Sequence, residues 1–98
     1  MPKKIKVYVK EPDKDPEQRT IPNTLEALQE IVGGYIETYR IATDLTIICN
    51  EEGRLLGLPY NVTICGTSFV GSILFAGVNG EEFCDVPDAW SPSIMGRW

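Results

Sequence analysis

Residues 69–86 read FVGSILFAGV (69–78), NG (79–80) and EEFCDV (81–86), and this stretch decides the fold class. Phe69 to Val78 is apolar at odd and even positions alike. That is the pattern of a central strand buried on both faces. Asn79-Gly80 is the strongest turn signal in the chain and predicts a tight type I′ hairpin. Glu81 to Val86 then returns as the partner strand.

Upstream, Ile5, Val7 and Val9 alternate with Lys4, Lys6, Tyr8 and Lys10. Period-two alternation marks a strand with one buried face. Residues 11–17, EPDKDPE, form a loop, and 18–21 return as a hairpin partner. Asn23 reads as a helix N-cap, with Glu26 three residues on to close a capping box. Leu25, Leu28, Ile31 and Val32 share one helical face, and Gly33-Gly34 supplies the stop. The helix is therefore short, about residues 24–32. YIETYRIAT (35–43) and LTIICN (45–50) read as strands, divided at Thr43-Asp44. Asn50 to Gly53 is a turn, with Gly53 expected at positive φ. RLLGLPYN (54–61) reads as a loop, Val62 to Cys65 as a short strand, and 87–98 as a tail with little periodicity.

The order strand, strand, helix, strands predicts an α+β fold. It is expected as one small domain over 1–98, with a core over about 5–86 and a C-terminal tail over 87–98. One short helix packs on a mostly antiparallel β-sheet. A domain of this size has a marginal core, so a homo-oligomer is expected. Trp90 and Trp98 are candidate contacts for it, unless the tail packs them on its own domain.

Composition excludes more than it assigns. The 98 residues include nine Lys+Arg, fourteen Asp+Glu and no histidine, for a net charge of -5. Without histidine, one chain can build no Ser-His-Asp or Cys-His site and no His-ligated metal centre. Residues 1–40 carry seven basic and seven acidic groups, and 41–98 carry two and seven. An acidic half suits a basic partner, and a nucleic-acid track, which needs clustered positive charge, is disfavoured. The basic start of the chain lacks the apolar run of a signal peptide. The longest apolar stretch, 69–78, is half a membrane span. A soluble, cytoplasmic protein with no membrane partner is expected. Cys49, Cys65 and Cys84 are odd in number and lie among apolar neighbours, so they read as reduced and buried.

No motif points to catalysis or to a cofactor. Glu51-Glu52 and Glu81-Glu82-Asp85 are acidic groups beside turns, where carboxylates are solvated. Glu37 has the best neighbours for acid/base work but is expected to face solvent. Arg19, Arg40 and Arg54 are the candidate anion partners.

Three stretches carry a resemblance: LEALQEIVGGYIE (25–37), CNEEGRLLGLPYN (49–61) and VGSILFAG (70–77). Through them the chain resembles a family of small domains of unknown function, widespread in bacteriophages and mobile elements. The likeness runs from about Ile5 to Asp85 and leaves the tail outside. What it implies is context: a cytoplasmic life in a bacterial host, and a role in countering host defence. Such phage proteins include sponges that hold nucleotide-derived signals between subunits, and inhibitors that plug host enzymes. On that footing the expected function is non-enzymatic binding of a small nucleotide-like ligand in an oligomer. Gly33, Gly34, Tyr35, Arg40, Asn50, Arg54 and Asn61 are the candidate ligand residues. Glycine admits close backbone approach, the tyrosine can stack on a base, and the arginines can meet phosphate. The alternatives are inhibition of a host protein through the acidic C-terminal half, and an enzyme working with carboxylates alone.

Overall fold

The computed structural model describes residues 3–96. Eight strands and two α-helices follow one another: β1 (Lys4–Lys10), β2 (Glu17–Pro22), α1 (Leu25–Val32), β3 (Ile36–Ala42), β4 (Leu45–Asn50), β5 (Tyr60–Ile64), β6 (Thr67–Val70), β7 (Ile73–Asn79), β8 (Glu82–Cys84), a 3₁₀ turn over Asp88–Trp90 and α2 (Ser91–Met95). The main sheet runs β2-β1-β7-β4-β3, with β8 also on β7, and every pair is antiparallel. β5 and β6 form a separate antiparallel hairpin. This is the expected α+β fold.

Both faces of β7 and β4 are buried, and alternation sorts their side chains into two cores. Ile48, Leu74 and Ala76 meet Ile5, Val7, Val9 and the α1 residues Leu28 and Val32. Leu45, Ile47, Cys49, Ile73 and Phe75 meet Ile64 and Phe69 of the small hairpin and Ile94 of α2. Each fully buried Ile, Leu or Phe contributes about 1.5–3 kcal/mol. α1 therefore covers one face, and the hairpin with the tail covers the other.

The decisive stretch departs from expectation in two places. Phe69 to Val78 is not one strand but parts of two, in different sheets. Gly71 sits between β6 and β7 at φ 72. This left-handed backbone turns the chain out of the hairpin and into the main sheet. A Cβ there would come 2.7 Å from Leu58 Cδ1. The following hairpin is not type I′ either. Asn79 pairs with Glu82, so the loop is Gly80-Glu81, and only Gly80 has positive φ, at 66. Glycine in the first loop position is the type II′ pattern. The type I′ signature lies instead at Cys65 (φ 51) and Gly66 (φ 79), between β5 and β6.

Other expectations shift by a residue or change their reason. The N-cap of α1 is Thr24, whose Oγ1 accepts from Ala27 N–H at 3.2 Å. Asn23 is drawn away, donating its Nδ2 to the Phe83 carbonyl at 3.3 Å, so Glu26 falls outside a capping box. Leu25 is 53% exposed, off the buried face of the helix. Gly33 ends α1 at φ 80, as expected of a glycine stop. Gly53 is not at positive φ; a Cβ there would lie 2.9 Å from Val70 Cγ2, so space is what restricts it. Tyr60 and Asn61, read as loop, open β5, and Cys65 falls in the turn beyond it, exposed. Of the cysteines only Cys49 is fully buried, while Cys84 is half-buried.

The tail is part of the fold. Lys6 N–H donates to Asp85, Lys6 Nζ pairs with Asp88 at 2.5 Å, and the Tyr8 hydroxyl meets Ser91 Oγ at 2.8 Å. Trp90 packs against the core and donates its indole N–H to Asp44 at 2.9 Å, which turns it inward. Trp98 lies outside the described residues. Among the described residues no helix is long and apolar enough to cross a membrane.

Candidate functional site

The site grows from the end of β4. Asn50 is the last β4 residue and is 6% exposed. Its Nδ2 donates to the Val32 carbonyl at 3.1 Å, and its Oδ1 accepts from Glu52 N–H at 2.8 Å. One amide thus ties the end of α1 to the start of the next turn. Gly34 makes room for it: a Cβ there would sit 2.9 Å from Asn50 Nδ2. Gly33 and Gly34 both donate N–H groups to the Gln29 carbonyl, closing the helix. Glu51 N–H donates to the Tyr35 carbonyl at 2.8 Å, which starts the β3–β4 ladder. Tyr35 is left 67% exposed beside the helix end.

The result is a cleft of about 450 Å³ lined by Gly33, Gly34, Tyr35, Asn50, Glu52 and Leu56, with Glu26, Gln29 and Glu30 from α1. Its lining carries three carboxylates and no arginine or lysine. The carbonyl end of a helix adds partial negative charge. Such a field opposes an anion. Tyr35 and Leu56 line the cleft with apolar surface, and the carboxylates line it with hydrogen-bond acceptors.

On the opposite face of the sheet a smaller cleft of about 160 Å³ shares Asn50. Arg54, Glu37, Tyr39, Cys49 and Ser68 line it. Arg54 is exposed and donates to the Ser68 carbonyl at 2.7 Å. Glu37 bonds to Tyr39 and holds the phenol above its ordinary value. Burial, and secondarily the charge of Glu37, pushes the Cys49 thiol up to about 11. Glu37 thus lies half-buried among these groups and not out in solvent. Tyr39 meets Phe69 edge-on, with ring centroids 5.3 Å apart.

Four of the seven candidate residues, Gly33, Gly34, Tyr35 and Asn50, come together in the first cleft. Arg54 stands in the neighbouring one. Arg40 is elsewhere, bonded to the Gly80 carbonyl at 3.0 Å. Asn61 is 8% exposed, and its Nδ2 bridges the carbonyls of Lys10 and Gly71 at 2.8 and 2.7 Å. That bridge holds the small hairpin to β1. Arg19 is held in ion pairs with Glu11 and Glu17. Sequence reading missed Glu26, Gln29 and Glu30. Their signal was the spacing 26, 29, 30, 33, a polar stripe along one helix face that ends on the capping glycine. Among the described residues no group of three acidic or cysteine side chains is placed to hold a metal ion.

Residues 5–97 match the profile of a domain of unknown function, DUF3846. The chain belongs to this family. The match takes in the tail, beyond the Asp85 limit of the resemblance drawn from sequence motifs, in keeping with the docking of Asp88, Trp90 and Ile94 in this DUF3846 domain. Neither a curated protein nor a solved structure matches the chain.

Proposed function

We propose that this DUF3846 domain is a non-enzymatic binding module for a small nucleotide-like ligand. Its base would lie in the cleft at the end of α1. The supporting observation is Tyr35, an aromatic ring held two-thirds exposed over a concave site with Asn50 at its floor. Stacking on such a ring contributes about 1–3 kcal/mol per base. The carboxylates of Glu26, Glu30 and Glu52 favour the N–H edges of the base and disfavour phosphate. Any phosphate would lie outside the cleft, away from these carboxylates. In a phage or mobile-element setting, holding such a signal away from its receptor is a counter-defence role.

The test is thermal unfolding against adenosine, guanosine, their monophosphates and cyclic dinucleotides. A ligand bound only by the folded chain raises Tm. The expected result is a rise with at least one of them, smaller for the most highly charged, and lost in Tyr35→Ala. No shift across the set, or a shift that survives Tyr35→Ala, contradicts the proposal. The competing inhibitor reading keeps the acidic C-terminal half but not Trp90, whose indole is turned inward toward Asp44.

A further inference from the structure

The two free edges of the main sheet differ. β2 follows Pro16, ends at Pro22 and carries the Arg19–Glu17 pair at 2.6 Å. Proline and charge are the usual guards of an exposed edge. β3, IETYRIA, has no proline, and Thr38, Tyr39 and Arg40 at its middle are exposed.

The hydrogen-bond phase of β3 is fixed twice. Tyr35 accepts from Glu51 N–H, and the register then sets Glu37 against Cys49 and Tyr39 against Ile47 as bonded pairs. Across β4, Val78 N–H donates to the Asp44 carbonyl at 3.1 Å, which sends the even-numbered residues of β4 toward β7 and the odd toward β3. Antiparallel ladders alternate, so Ile36, Thr38 and Arg40 turn their N–H and C=O groups outward. Among the described residues no group bonds to that backbone. The regular ladder ends at Arg40, where the register shifts. The outward residues are therefore spaced evenly about Thr38.

We infer that this edge pairs antiparallel with β3 of a second copy, about a twofold axis at Thr38. In that register Thr38 faces Thr38, Ile36 faces Arg40, and Glu37 faces Tyr39. No like charges meet. An axis at Glu37 sets two carboxylates opposite each other, which destabilises a sheet. An axis at Tyr39 pairs Ile36 with Ala42, beyond the bulge. The strand carries one acid and one base, so it is neutral within a chain of charge -5. This interface does not depend on the ligand reading.

Sedimentation of the full chain tests it, with amide exchange read residue by residue. The wild type should sediment at twice 10.9 kDa. Thr38→Lys, an exposed substitution that sets two ammonium groups on the axis, should weaken the dimer by more than about tenfold. Thr20→Lys on the exposed face of β2 should leave it unchanged. The amides of Ile36, Thr38 and Arg40 should be protected in the wild type, a readout independent of how any variant folds. A monomer at every concentration overturns the inference, and so does a dimer that Thr38→Lys leaves intact. Free exchange at those three amides in the dimer, or capture of a foreign strand by a monomeric chain, overturns it equally.

Discussion

Asn50 shows how one side chain joins fold and site. Its amide holds the last carbonyl of α1 on one side and the Glu52 N–H on the other. Breaking either bond leaves a buried polar group unpaired, at about 1–3 kcal/mol. Gly34 is glycine because Asn50 occupies the space of its Cβ. Sequence reading marked both residues but could not see that they touch, because they are sixteen positions apart. The cysteines carry a prediction at this scale. Cys49 is buried with its thiol held up at about 11, Cys84 is half-buried with its thiol also raised, chiefly by burial, and Cys65 is exposed on a turn. Alkylation of the native chain near neutral pH should label Cys65 first and Cys49 only on unfolding, as read by peptide mass spectrometry. Equal rates for Cys49 and Cys65 would contradict the packing of the hairpin over β4. The folded state holds the Cys49 proton more tightly than the unfolded chain does. Its contribution is intact below pH 9.0 and is lost as pH climbs toward about 11.

At the scale of elements, periodicity was the reliable signal. β1, β3, β4 and α1 stand where alternation and helical spacing put them, within a residue or so. The turns were harder to read. Asn79-Gly80 has the best type I′ sequence, yet the register of β8 makes Gly80-Glu81 the loop. Cys65-Gly66 adopts the I′ backbone with a residue that tolerates it poorly. Tertiary pairing overrode local preference in both places. Phe69–Val78 misled for a related reason: two strands of different sheets joined by one glycine have the same apolar look as one buried strand. A prediction follows for the β5–β6 hairpin. Cys65→Asn places a residue suited to positive φ at the first loop position. It should raise Tm by roughly 2–8 °C in a chain of this size. An unchanged or lower Tm would show that the Cys65 backbone is not in the left-handed region.

For the whole molecule, the layers set what each surface can do. α1 covers one face of the sheet, the hairpin and tail cover the other, and β2 guards one edge. The β3 edge and the cleft at the end of α1 remain open, and both are built around the segment Gly33–Arg40. The absent histidine and net charge of -5 were legible at once; the first removed His-dependent sites within one chain, and the second disfavoured a nucleic-acid track. The acidity of the cleft was not legible, because Glu26, Glu30 and Glu52 converge only when α1 ends against β4. Under the proposed function, that convergence would favour recognition of the base over the phosphate. The most direct measurement is a backbone amide NMR titration with the nucleoside or cyclic dinucleotide that raises Tm most. The binding reading predicts saturable shifts concentrated at Gly33, Gly34, Tyr35, Asn50 and Glu52, with Asn61 unmoved. Shifts confined to other surfaces, or none up to the solubility of the ligand, would contradict it.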